Sequence, residues 1–341
     1  MDIAERATKE RYRIVRKRLR EIYGQAGKEV KRKFDEYTAR FLKEDARRKA
    51  MVEAGEMTEA AYKKWRKGQV FIGKQWRSKI QDISDTMVHA NEEAARIVNR
   101  ERLNVFLDAM NYSLYKLERT LGIRTTFSLY SRQAVSDLIK DNPQLLPEWK
   151  INEKKDYIWN YNRVRNSITQ GIIQGESIPD ISKRLAEGLQ TGNDEKMNLF
   201  ARTGMTGAHN AGRQHMAEEA EEEGIETYKQ WIASLDNRTR DTHQRLDGQI
   251  VKASEPFVID HMEIMFPGDP SAPPELVYNC RCSMKEVYSK VPQKRERRAY
   301  REVIDDKGKV HRESYITTVT NFQEWKEAGG LSYENWQRKR R

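Results

Sequence analysis

Three observations predict a mainly helical protein with long N-terminal helices and a small α+β region near the C-terminal end. Apolar residues recur every three or four positions across most of residues 15–121. After Gly224 that pattern gives way to short apolar runs divided by turn residues. The composition, 37% hydrophobic and 34% charged, is too polar for one compact enzyme domain and suits helices with much solvated surface. A length of 341 residues allows two or three cores. The divisions read from these patterns are a helical arm over 1–174, an α+β domain over 175–290 and a basic tail over 291–341.

Val15, Leu19, Ile22, Ala26, Val30, Phe34, Tyr37 and Phe41 line one face of a first helix, and Gly24 and Gly27 predict a kink or break within it. Thr58 is placed to cap a modest helix to Lys67. Trp76, Ile80, Ile83, Met87, Ala90, Ala94 and Ile97 follow a 4-3 alternation that makes a seam for another helix, either in this chain or in a second copy. The seam resumes in a shifted phase from Leu103 to Leu121, so its two halves should meet different partners. Over residues 122–147 the pattern loosens, and Asp141-Asn-Pro143 and Pro147 would break any helix. Helical spacing returns over Tyr157–Ile173, and Ser177, with Pro179 in the first turn, opens a helix to about Leu189. Thr191-Gly-Asn-Asp194 should restart a further helix that Gly224 stops.

Beyond Gly224, strands are expected over Glu226–Ala233, Gln249–Val251, Phe257–Ile259 and Cys282–Tyr288, with Asp236 as N-cap of a short helix ending at Gly248. Tyr300–Ile304 and Val310–Tyr315 resemble a hairpin, and short helices close the chain around Phe322–Ala328 and Tyr333–Lys339.

The net charge of +11 is uneven. Residues 1–50 hold 17 Lys/Arg against 9 Asp/Glu, residues 290–341 hold 14 against 8, and the middle is slightly acidic. Basic ends suit contact with a polyanion, most simply DNA held through its phosphates without sequence reading, although the same charges also solvate long helices. No apolar run is long enough to span a membrane and no signal peptide is visible at the start.

The only two cysteines, Cys280 and Cys282, are too close in sequence to form a relaxed disulfide, which points to a reducing compartment. On a strand they face one side and, with His243, offer three ligands for a structural zinc ion. A fourth would come from Asp236, Asp247, Asp269, His261 or water. The alternative is a pair of buried apolar thiols with His243 bonded to Asp247. Arg238, Arg240 and Asp241 suit ion pairs that hold a helix on the sheet, with phosphate binding by the arginines as the alternative, and Arg202, Thr203, Asn210 and Arg213 form a polar helix face against the Trp231 strand. His209 and His215 lie on different faces and read as solvated. No nucleophile and base stand together, so no catalytic residue is assigned.

Phe200-Ala-Arg-Thr203, Asn210, Lys229-x-Trp231, Asp236-x-Arg-Thr-Arg240-x-x-His243-x-x-Leu-Asp-Gly248 and Asn279-Cys-Arg-Cys282 form an ordered string. It resembles the C-terminal domain of the phage Mu F-like head morphogenesis family, minor head proteins of tailed bacteriophages. The resemblance covers about a hundred residues and assigns 175–290 to that domain. In many relatives a histidine follows a proline pair shortly before Cys-Arg-Cys; here Pro273-Pro274 leads into Glu275 with no histidine, so a carried-over metal site lacks one ligand unless Glu275, Asp269 or Asp236 replaces it.

The resemblance implies a capsid component in the virion, made in the host cytoplasm and acting in head morphogenesis beside the portal protein and other capsid or scaffold proteins. It also implies a part in DNA packaging or ejection. Self-association through the helical seam is a further expectation. Two other classes are carried: a metal-dependent enzyme acting on nucleic acid, built on His243, Asp236 and the cysteines, and an ADP-ribosyltransferase-related protein, since some members are joined to such domains.

Overall fold

Long amphipathic helices dominate the computed structural model, which describes residues 2–70, 74–122, 129–174, 176–288, 295–305 and 308–328. Its helices are α1 (Ile3–Glu53), α2 (Glu59–Val70), α3 (Lys74–Leu121), α4 (Arg132–Asp141), α5 (Glu153–Ile173), α6 (Ile178–Glu222), α7 (Asp241–Leu246), α8 (Pro274–Val277) and α9 (Phe322–Glu327). The strands are β1 (Tyr228–Ile232), β2 (Ile250–Lys252), β3 (Phe257–Ile259), β4 (Met262–Ile264), β5 (Ser283–Val287), β6 (Arg295–Ile304) and β7 (Val310–Val319). The protein is thus mainly α with a small α+β C-terminal region. The chain divides into two compact units, one of residues 1–15, 98–148 and 199–341, the other of residues 16–97 and 149–198.

The described elements of the second unit are all helices. Leu19, Tyr23, Val30 and Phe34 of α1, Ile80, Ile83, Met87 and Ala94 of α3, Val164 and Ile168 of α5, and Leu185 and Leu189 of α6 are buried. The seam on α3 is therefore internal from Ile80 onward; the side chain of Trp76 lies outside the described residues. At its centre is a polar network. Tyr23 donates to Asn91 (2.7 Å), Asn91 donates to Asp156 and Asn193 (3.1 Å each), and Asn193 donates to Asn160 (3.0 Å). Each buried amide has a partner, which removes the desolvation penalty that an unpaired one would carry.

Two expectations are corrected here. No break interrupts α1 at Gly24 or Gly27; burial of Tyr23, Ala26 and Val30 outweighs a glycine penalty of about 1 kcal/mol each. No restart occurs at Thr191–Asp194 either, because Asn193 returns its side chain to Leu189 O (2.8 Å) and to Asn160 instead of capping a new helix. Within residues 129–147 Ser131 caps α4 by accepting from Ala134 N–H, and α4 ends at Asp141, where the Asp141-Asn-Pro143 stretch predicts a break. Ser177 and Gly224 act as expected, Ser177 Oγ accepting from Asp180 N–H (3.3 Å) and Gly224 closing α6 at φ +82°.

The first unit holds the strands. β1 is central in a three-stranded antiparallel sheet ordered β2-β1-β5, with Trp231 opposite Met284. β3 and β4 form a small hairpin, and β6 and β7 a longer one. The latter runs from Arg295 to Val319, longer than the sequence patterns indicate, and its turn at 306–307 and the expected helix at Tyr333–Lys339 lie outside the described residues. Two cores result. Trp231, Leu246, Phe257, Ile264 and Leu276 surround the two cysteines, while Leu235, Ala299, Val319, Phe322 and Trp325 form the other. Gly207 lets α6 meet the 266–268 turn, since a Cβ there would stand 2.6 Å from Gly268 O.

Candidate functional site

Cys280 and Cys282 lie at the entry to β5, and His243 sits on the buried face of α7 with Leu246. All three are buried, and their ligand atoms lie within 4.8 Å of one another. His243 Nδ1 is 3.3 Å from Cys282 Sγ and 3.6 Å from Cys280 Sγ. A tetrahedral zinc ion with sulfur at about 2.3 Å and nitrogen at about 2.0–2.1 Å would hold such atoms roughly 3.5–3.8 Å apart. The donor set and its spacing therefore fit zinc. A hydrogen bond from the Cys282 thiol pulls the Cys280 thiol below its ordinary pKa, whereas burial pushes Cys282 well above it. Nε2 of His243 is buried without a hydrogen-bond partner among the described residues, and the ring stands edge-on to Trp231 at 5.5 Å.

The fourth ligand is where the sequence expectation departs from the geometry. Asp236 does not join the cluster. Its carboxylate is bound by Arg281 and Arg312, and it accepts from Arg238 N–H (3.0 Å) and Thr239 Oγ1 (3.1 Å). Burial raises its pKa, but these arginines and Thr239 outweigh burial and hold it below the ordinary value. Nor does Asp236 cap α7, which starts five residues later at Asp241 with Arg240 as N-cap. Asp247 is occupied by Arg297 (2.8 and 2.9 Å) and by Ala233 N–H (2.6 Å), and Asp269 by Met265 and Ser271 N–H. Glu275 is exposed, as is His261 on the β3–β4 turn. Among the described residues the chain supplies three donors, and a fourth would be water or an external group.

The other motif residues hold the cysteine segment in place. Asn210 of α6 donates to Pro267 O (2.9 Å) and Cys282 O (3.3 Å) and accepts from Met284 N–H (2.9 Å). One amide thereby clips α6 to both the 266–268 turn and β5. Arg202 reaches Asn279 Oδ1 (2.7 Å), and Arg240 donates to the carbonyls of Glu275 and Tyr278. Arg238 is exposed and makes no side-chain ion pair among the described residues, so it does not pin the helix as expected. Gly248, at φ +87°, returns its N–H to Trp231 O (3.0 Å), closing the loop that carries His243.

The sequence patterns did not reveal a buried ion network at the base of this scaffold. Arg213 is fully buried and contacts Glu286 (3.1 Å), Asp2 (2.5 Å) and Nε2 of His209 (3.0 Å). Glu286 also accepts from Ser113 (2.5 Å) and Lys116 (3.4 Å). His209 is thus not solvated: Arg213 donates to its Nε2, so its Nδ1–H donates to Thr8 Oγ1 (3.0 Å). The available signal was Glu286 itself, which shares a strand face with Met284 and so places a carboxylate on the core side.

Residues 162–285, the span holding this scaffold, match the family model described as Phage Mu protein F like protein. The minor head protein GP7 of Bacillus phage SPP1 is 29% identical over 184 residues, 52% of this chain and 57% of that protein. The NAD(+)–arginine ADP-ribosyltransferase EFV of Enterococcus faecalis is 35% identical over 124 residues, 36% of this chain and 25% of that protein. An uncharacterized protein of Haemophilus influenzae is 31% identical over 122 residues, 24% of its length. The chain therefore spans little more than half of the first relative and about a quarter of the other two. No solved structure matches it. Residues 162–285, which carry Arg202, Asn210, Trp231, His243 and both cysteines, are thus the part of this chain that is similar to the Phage Mu protein F like family.

Proposed function

We propose that this chain is a minor head protein of a tailed bacteriophage, a structural component acting in head morphogenesis rather than an enzyme. The observation that carries the reading is the family match over 162–285, together with a relative named as a minor head protein that aligns over half of this chain. In this reading the protein joins the virion beside the portal protein or on the capsid interior after synthesis in the host cytoplasm. It touches packaged DNA through its basic ends, and His243, Cys280 and Cys282 hold a zinc ion that staples the scaffold. Such an ion would crosslink α7 to the entry of β5, and the chain's own residues would only bind and orient it. The test is co-purification: the tagged chain, expressed with the portal and shell proteins of its phage, should be recovered with portal and in procapsids. Procapsids of normal composition without it would overturn the reading.

The relative named as an ADP-ribosyltransferase favours a second reading, transfer of ADP-ribose from NAD(+) to arginine. Three quarters of that protein lies outside the match, so the assembly reading is preferred. Labelled NAD(+) incubated with the purified chain and an arginine-rich acceptor would separate the two, since labelled acceptor supports only the transferase.

A further inference from the structure

A cavity of about 370 Å³ opens in the first unit between the start of α1, the middle of α6 and strands β5 to β7. Its lining is unbalanced: eight Lys or Arg side chains face two carboxylates, Glu5 and Glu296. Behind the lining, Asp236 binds Arg281 and Arg312, and Asp247 binds Arg297. Even with those two counted, eight cations stand against four carboxylates. Arg238 and Arg298 make no side-chain hydrogen bond or ion pair among the described residues, yet both border this cavity.

We propose that this cavity is a binding site for a small phosphate-bearing anion, with Arg238 and Arg298 as its open ligands. Like charges converging in a recess repel one another, and an anion seated among them would relieve that repulsion. Guanidinium groups present forked N–H donors that match phosphate oxygens, so arginines on several sides suit a tetrahedral polyanion better than a planar carboxylate. The volume lies near the lower end for small-ligand clefts, which excludes a duplex from the recess but admits a free phosphate chain or one phosphate of a single strand. Lys9 carries the same signature: burial first, then Arg298, Arg281 and Arg13, lower its pKa against the pull of Glu5. This inference stands apart from the assembly reading, because it rests on the cavity and not on the family match.

The experiment uses the full chain at low salt, with inorganic tripolyphosphate and a short single-stranded oligothymidylate as probes, followed by calorimetry and thermal shift. Tripolyphosphate should bind and raise Tm, and the Arg238→Gln/Arg298→Gln double variant, whose altered side chains are exposed, should keep its melting point and bind at least tenfold more weakly. A control of equal charge loss, Arg119→Gln/Arg132→Gln, should bind as the parent does. Oligothymidylate that competes with tripolyphosphate would make a nucleic-acid backbone the source of the phosphate; binding of tripolyphosphate alone would make it a free anion. No binding, equal loss in the control, or equal affinity for polyglutamate would overturn the proposal.

Discussion

Arg213 is a charge wholly out of water, and its surroundings decide whether the scaffold folds. Replacing Glu286 by Gln leaves that guanidinium with Asp2 as its remaining carboxylate contact, and breaking a buried pair from one side typically costs about 3–5 kcal/mol. Denaturant unfolding of Glu286→Gln should show a loss of that size; a change below about 1 kcal/mol would contradict the network. The same residues set the acid response. Burial alone would raise the Glu286 carboxyl, but Arg213, Lys116 and Ser113 outweigh it and hold the pKa at about 2, against an ordinary 4.5. Its contribution is complete above about pH 4.5 and disappears as pH falls towards about 2. His209 acts at higher pH. Burial, then Arg213, lowers its pKa from 6.5, so the unfolded chain takes up a proton below about pH 6.5 while the folded chain resists it, and stability falls with pH there. Unfolding measured between about pH 6.5 and 5 should lose that slope in His209→Gln; an unchanged slope would remove His209 from the account. For the cysteine cluster, elemental analysis should give about one zinc per chain, lost in Cys282→Ser along with thermal stability. A metal-free parent that melts as the variant does would leave the thiols as apolar packing.

Among the elements, α3 carries the clearest prediction. Ile83 and Met87 are 1% and 0% exposed inside the second unit. Ile83→Lys would bury an unpaired ammonium, so helical circular dichroism should drop before any question of assembly arises. Retained helicity would mean that the seam opens to solvent. The heptad-like spacing made this helix legible, including the phase change after Ile97, which falls where the chain passes from the second unit to the first. Trp231, Asn210, Asp247, His243 and the two cysteines were legible as an ordered string, and β1, β2, β3 and β5 came within a residue or two, whereas β6 starts five residues earlier and β7 ends four residues later than the patterns indicate. Other features were not. Glycines in α1 and polar residues in α6 looked like breaks because their tertiary partners, such as Asn160 for Asn193, lie far along the chain. β4 and α8 span three and four residues, too short for any periodicity to register. The role of Asp236 was hidden by Arg281 and Arg312, 45 and 76 residues downstream.

The whole molecule carries +11, concentrated at its two ends. Non-specific DNA binding should weaken with added salt, and deletion of residues 329–341, which include four Lys/Arg, should reduce the magnitude of the log–log slope by up to about 3. A filter-binding titration with an unchanged slope would return those charges to solvation. The first unit is also assembled from distant parts of the sequence. Glu5 accepts a hydrogen bond from Ser283 (2.8 Å) across 278 residues, and Arg213 reaches back to Asp2. On a ribosome adding about 5–20 residues per second, the first turn of α1 waits roughly 15–60 s for its partners to emerge. A chain released early, anywhere before β5, leaves Arg213 without Glu286 and Glu5 without Ser283. Closure of this network therefore depends on residues from both ends of the described sequence, and a chain stopped before β5 should present an unfinished scaffold to proteases.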